Sequence, residues 1–403
     1  MKTFNINLLF GILLFSTSFI NAQSVNTRIY DAEKLAKVKA KKGDAAYAPA
    51  IKALLNEANK QLKSTPPSVM DKEMMPPSGD KHDYMSMGPY WWPDTTKADG
   101  LPYIRKDGLR NPELDKLDRN KLGRMANAVT TLGIAYYFSG NEKYARKAVD
   151  FLRTWFINED TRMNPNLNYG QVIPGRNNGE GRAEGIIDVY SLVEMLDVVE
   201  LMSSSKAMSN KDKSELKKWF TEFVEWLQTS PIGLKEQNAK NNHGLAYDVQ
   251  LTAYALFTGN DELAEKTLKG FPAKRLFTQI EPDGKQPLEL ARTTAFGYTV
   301  FNIHHMLDMS SLGKYVGINI YNSESEDGRS ISAAINFMKQ YLGKPQKEWP
   351  YQQIKEWDKK QEEATWLLRR ASFFDPGKGY ELMGEKFRKT SPASRMHLLF
   401  SLE

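Results

Sequence analysis

Tyr137-Phe138-Ser139-Gly140-Asn141-Glu142-Lys143-Tyr144-Ala145 is echoed further along the chain by Leu256-Phe257-Thr258-Gly259-Asn260-Asp261-Glu262-Leu263-Ala264. Each string closes an apolar-periodic run with a glycine, the residue that most readily takes the left-handed backbone at a helix C-terminus. Each then opens the next run with asparagine, whose side chain caps a helix N-terminus. Two copies of one helical hairpin point to a ring or solenoid of helix pairs, although such turns also occur singly. Outward from these strings, apolar residues recur at three- and four-residue steps over 31–62, 117–138, 142–156, 185–202, 211–227 and 244–257. The same period continues over 262–269, 295–312, 330–342, 362–374 and 377–389, and strand-like alternation is scarce. The pattern predicts an all-α fold: a single α/α toroid or incomplete barrel of helical hairpins, spanning residues 23–403 as one domain, with long irregular loops lining a groove.

The start of the chain reads differently. Lys2, an apolar run over 8–15 and the small-residue ending Ile20-Asn21-Ala22 form a secretory signal peptide, residues 1–22, with cleavage expected after Ala22. The apolar run is too short to anchor the protein in a bilayer. The sequence has no cysteine, which removes lipidation at that residue, disulfides and thiol catalysis. A periplasmic or secreted protein without membrane insertion is expected. The formal net charge of +6 favours polyanionic partners. Export makes an acidic polysaccharide the expected partner rather than nucleic acid.

Two stretches break the helical pattern. Residues 66–112 hold eight prolines and four glycines among His82, Tyr84, Tyr90, Trp91, Trp92 and Tyr103. Proline at that density forbids a continuous helix, and the aromatic content argues against disorder. The segment reads as a wall across a groove. Residues 164–182, polar and glycine-rich, contain Gln171, Arg176, Asn177, Asn178 and Arg182 and would suit a second wall.

Two clusters could carry chemistry. Asn241-Asn242-His243-Gly244 stands directly before a helical run, so the asparagines can cap it and hold His243 near the helix start. The alternative is that the asparagines only cap and His243 lies on the surface. Arg292 and Tyr298 are six residues apart, which on one regular helix would separate them by roughly 120°. They converge only if Arg292 precedes a helix that begins near Thr293 or Thr294. Otherwise they are a surface arginine and a core tyrosine. Side chains of these types suit β-elimination from a 4-linked uronate. Asn, Arg or cationic His neutralises the carboxylate beside the acidic C5 proton. Tyr, with an ordinary pKa of about 10, moves protons if a nearby cation tunes it.

Other chemistries find less support. The five histidines, His82, His243, His304, His305 and His397, show neither HExxH nor an i, i+4 pair, and no phosphate loop or nucleophile elbow occurs. No metal or other cofactor is expected. Two carboxylates could still support hydrolysis, with Asp94, Glu184, Asp188 and Glu236 near the candidate walls.

The strings Tyr84-Met85-Ser86-Met87-Gly88-Pro89-Tyr90-Trp91-Trp92-Pro93-Asp94, Asp107-Gly108-Leu109-Arg110-Asn111-Pro112-Glu113 and Asn241-Asn242-His243, followed by Arg292 and Tyr298, resemble the alginate-lyase superfamily of α/α-toroid polysaccharide lyases. The closest likeness is to polysaccharide lyase family thirty-eight, the alginate and glucuronan lyases. The resemblance implies cleavage of polymannuronate-type alginate or β-1,4-glucuronan. It implies that Asn242 and Arg292 neutralise the carboxylate and that Tyr298 is the acid and also a base. His243 would assist neutralisation, or act as base where the C5 proton and O4 leave from opposite sides. Tyr84, Tyr90, Trp91, Trp92 and Asn241 would contact sugar, with Arg176 and Arg182 at outer subsites. An α/α-toroid glycoside hydrolase and a non-catalytic acidic-glycan-binding protein are the competing functions.

Overall fold

The computed structural model describes residues 25–402. The expected signal peptide lies outside them. Among these residues sixteen α-helices follow in order: α1 Ala32–Ala40, α2 Ala48–Gln61, α3 Asp118–Ser139, α4 Glu142–Leu152, α5 Ser191–Leu201, α6 Asn210–Thr229, α7 Pro231–Gln237 and α8 Asn242–Thr258. The second half holds α9 Asp261–Phe271, α10 Phe277–Gln279, α11 Pro287–Leu290, α12 Ala295–Tyr315, α13 Ile331–Lys339, α14 Trp357–Ser372, α15 Tyr380–Phe387 and α16 Met396–Leu399.

Helix burial separates an inner set from an outer one. Every residue of α8 from Gly244 to Leu256 is buried, and α3 and α12 are buried almost as fully. A helix covered on all sides must lie inside the protein. α3 packs on α2, α4 and α5. α8 packs on α5, α6, α9 and α12, and α12 packs on α14. The last helix, α16, returns to α1 and α2, which brings the first and last described helices together. One apolar cluster runs through these helices from Tyr30 to Phe400.

The two echoed strings are α3–α4 and α8–α9, each pairing a buried helix with an amphipathic outer one. Gly140 and Gly259 end the first helix of each pair at φ 71° and 78°. A side chain there would cost about 1–2 kcal/mol. Asn141 and Asn260 then accept the backbone N–H of Lys143 and Leu263 as N-caps. The periodic run 31–62 is two helices rather than one. Residues 41–47, with Gly43 and Asp44, form turns, and Pro49 starts α2, where its missing N–H costs nothing. The run 185–202 begins as 3₁₀ turns over Ala183–Val189 before α5.

The two irregular segments meet in a parallel pairing of β1, Met85–Met87, with β4, Tyr169–Val172. The first segment also folds on itself through β2, Trp91–Trp92, paired antiparallel with β3, Ile104–Arg105. Met85, Met87, Leu114, Leu117 and Val172 form a separate small apolar cluster beneath these walls. Elsewhere, backbone N–H groups of Arg28, Ile29 and Tyr30 all donate to the buried carboxylate of Asp197 on α5. Among the described residues no helix is long and apolar enough to cross a membrane.

Candidate active site

A cleft of about 570 Å³ opens where the two walls meet the N-terminal ends of α8 and α12. Its lining includes Tyr90, Trp91, Arg182, Asn241, Asn242, His243, Arg292 and Tyr298.

The start of α8 positions three of these. The Asn241 side chain accepts the His243 N–H, so Asn241 is the N-cap. Asn242 donates its backbone N–H and its Nδ2 to the two oxygens of Glu289, both at 2.7 Å. Burial pushes the Glu289 carboxyl up, and those two bonds from Asn242 oppose it. His243 places Nδ1 2.7 Å from Oε1 of Glu236, whose carboxyl is likewise raised by burial. Behind them Arg275, 1 % exposed, pairs with Asp248 at 2.7 Å and donates to the carbonyls of Ala239 and Gln237 at 2.7 and 2.8 Å. Arg275 thereby ties down the turn that precedes Asn241. Gly244 must lack a side chain, because a Cβ there would lie 2.1 Å from the Ala239 oxygen and 2.3 Å from Arg275 Nη1.

Arg292 lies outside the helix. α12 begins at Ala295 after Thr294, and so Arg292 in the preceding turn can reach back to Tyr298. Its Nη2 donates to the Tyr298 hydroxyl at 2.7 Å, and its guanidinium carbon stands 3.9 Å from the ring centroid. Asp107, from the first wall, holds the same guanidinium through Nη2 at 2.8 Å and Nε at 3.3 Å. Burial opposes the Asp107 charge, but hydrogen bonds from Arg292, Arg105 and Thr293 outweigh it and hold the carboxyl well below the usual range. Tyr90 brings its hydroxyl to 3.2 Å from that of Tyr298. Burial, helped by Tyr90, raises the Tyr298 pKa well above its ordinary value, while Arg292 pulls it down. Tyr298 is therefore held as a phenol, suited to giving up a proton to a leaving oxygen.

The walls sort the remaining candidates. Trp91 lines the cleft, with Arg176 at 5.1 Å and Arg182 at 5.9 Å from its ring centroid. Arg182 is fixed by Gln171 at 2.9 Å and Glu184 at 3.2 Å. Arg176 is exposed beyond the cleft lining, within reach of the Tyr103 carbonyl at 3.5 Å. Trp92, the neighbour of Trp91 in β2, turns away, with its Nε1 on the Leu109 carbonyl at 2.9 Å. Tyr84 offers no surface to a sugar. It is fully buried with its hydroxyl on Asp188 at 3.2 Å, because β1 turns it under the wall.

Sequence reasoning missed Asp107 as the partner of Arg292 and Glu289 as the partner of Asn242. It also missed Arg119, Lys355 and Lys360, which line the cleft from α3 and from the loop leading into α14 and its first turn. The acids weighed for hydrolysis are engaged elsewhere. Asp188 accepts from Tyr84, Ser86 and Gln171, Glu236 holds His243, and Glu184 pairs with Arg182. Asp94 binds Thr96 outside the cleft.

A cleft that can neutralise a carboxylate and hand a proton to a leaving oxygen, with its acids committed to holding other side chains, is that of a polysaccharide lyase. The profile of the family described as alginate lyase matches residues 68–349. The chain belongs to the alginate lyase family. It is 69 % identical to an alginate lyase from Bacteroides ovatus, with a TM-score of 0.93 over 94 % of this chain and 100 % of that one. Alginate lyase A1-III from Sphingomonas species A1 shares the fold at 16 % identity, covering 88 % of this chain and 95 % of that one with a TM-score of 0.56. A histidine-to-alanine variant of A1-III, complexed with tetrasaccharide, aligns at 15 % identity and a TM-score of 0.64 over 95 % of this chain and 98 % of that one. Comparison with curated protein sequences gives no match.

Proposed function

We propose that this lyase cleaves alginate by β-elimination, at 4-linked mannuronate in particular, with β-1,4-glucuronan as the alternative substrate. The observation that carries this reading is the shared position of Arg292 Nη2, 2.7 Å from the Tyr298 hydroxyl. A carboxylate drawn to Arg292 is thereby brought beside the group that moves the proton. The remaining Nδ2 hydrogen of Asn242 supplies a second donor. With the carboxylate neutralised, the C5 proton leaves to a base and its electrons are held in the carboxyl group as an enolate-like intermediate. Those electrons form the C4–C5 double bond as the C4–O4 bond breaks, and Tyr298 protonates the departing O4. In mannuronate and glucuronate the C5 proton and O4 leave from one side, so Tyr298 can serve both steps: its own proton first passes to solvent, with Arg292 offsetting the burial that favours the phenol, and the C5 proton it then takes goes on to O4. In guluronate they leave from opposite sides, and His243 takes the C5 proton. Trp91 and Tyr90 form the sugar-facing wall, and Arg182 and Arg176 meet carboxylates further along. The signal peptide reading places this activity in the periplasm or outside the cell.

The unsaturated product absorbs in the ultraviolet, so polymannuronate, polyguluronate and glucuronan can be compared directly. Tyr298→Phe removes one oxygen and keeps the ring. The rate should fall by about 10²–10⁴, the contribution of one acid–base group. Near-normal turnover in a folded variant would refute the assignment, and reducing ends without absorbance would establish hydrolysis instead.

A further inference from the structure

We infer that Glu236 is a positioning residue: its buried carboxylate holds the proton of His243 on Nδ1 and leaves Nε2 as the nitrogen that exchanges protons in the cleft. The Nδ1–Oε1 distance is 2.7 Å, Glu236 is 2 % exposed, and the His243 side chain is 17 % exposed. An ionised carboxylate can only accept hydrogen bonds, so the imidazole nitrogen facing it must carry the hydrogen in both charge states of the ring. Nε2 is then a lone pair in neutral His243 and a donor in the cation. The fold supports this arrangement from both sides. Glu236 sits in the last turn of α7, and Arg275 fixes the carbonyls of Gln237 and Ala239 between it and α8. The other charged groups near Glu236 are Glu184 and Arg182, which act on it in opposite senses.

This inference rests on the lyase reading of the cleft, in which His243 is the base only for substrates whose C5 proton and O4 leave from opposite sides. It therefore has a signature that a general structural role lacks. In Glu236→Gln the amide can donate to Nδ1, which moves the ring proton to Nε2 and removes the acceptor from the cleft. Turnover of polyguluronate should fall by about 10²-fold or more, the scale of losing a correctly oriented base. Turnover of polymannuronate, handled by Tyr298, should stay within a few-fold. In parallel, ¹⁵N NMR of the histidine rings, with the His243 signals identified by their loss in His243→Gln, should show Nδ1–H in the unsubstituted protein and Nε2–H in Glu236→Gln. Equal losses on the two polymers would overturn the inference, as would Nε2–H in the unsubstituted protein. If the unsubstituted protein cleaves only one polymer or neither, the substrate reading fails in that respect, and the ring spectra alone decide the role of Glu236.

Discussion

Substituting Gly244 by alanine sets two effects of opposite sign against each other. Gly244 is in the first turn of α8, where alanine would gain about 1 kcal/mol of helix propensity. The new Cβ, however, would lie 2.1 Å from the Ala239 oxygen and 2.3 Å from Arg275 Nη1. Both are more than 1 Å inside ordinary contact, and neither is the free end of a flexible chain. Overpacking of that kind costs about 1–3 kcal/mol. Pushing Arg275 aside also weakens its bonds to Asp248, Ala239 and Gln237, at about 1.5–3 kcal/mol for a charged hydrogen bond. The clash wins, with a net loss of about 2–4 kcal/mol. At about 2 °C per kcal/mol for a chain of this size, Tm should fall by about 4–8 °C. Because the displaced turn leads into Asn241, Asn242 and His243, turnover should fall too, by up to about 10²-fold for a 1 Å shift. Calorimetric melting and the ultraviolet rate assay measure the two losses. A variant that melts higher and turns over normally would show that Arg275 does not fix this turn.

The two tryptophans of β2 should separate. Trp91→Ala should raise KM for polymer several-fold with Tm nearly unchanged, because Trp91 faces the cleft; an unchanged KM would remove it from the binding wall. Trp92→Ala should leave KM alone and lower Tm by less than a full core truncation of about 3–5 kcal/mol implies, since Trp92 is only half-buried. Asp197 makes stability depend on pH. Burial raises its pKa from 3.8 to about 7 against the N–H bonds it accepts. Between those values the folded chain holds a proton that the unfolded chain has lost, so stability falls as pH rises through that window. Asp197→Asn should make the decline in Tm over this range shallower, and parallel curves for the two proteins would refute the assignment.

Local signals reached as far into this protein as local physics does. The Gly-Asn turns marked the hairpins because left-handed glycine and asparagine caps act within a few residues. The threonines before α12 showed where a helix could begin, and hence how Arg292 could meet Tyr298. What was missed depends on distance along the chain. Glu289 is 47 residues from Asn242, and Asp107 is 185 from Arg292. No spacing rule connects such partners. Glu236, seven residues before His243, was noticed as a carboxylate but not as its partner, because that requires knowing that a turn after α7 folds it back. Tyr84 was misplaced for a different cause. An aromatic string in an irregular segment has no period from which to tell an inward face from an outward one.

The bond between Asp107 and Arg292 also bears on how such enzymes diversify. The first wall carries Tyr90 and Trp91, which line the cleft, so it is the natural segment to exchange when a new specificity is sought, by selection or by an engineer. Here that segment also carries Asp107, the anion that aims Arg292. A transplanted wall lacking an acid at the place of Asp107 would bring a new preference together with a misdirected arginine. The lining of the cleft and the aim of its arginine thus travel together, and a replacement wall keeps that aim only if it sets an acid in the same register.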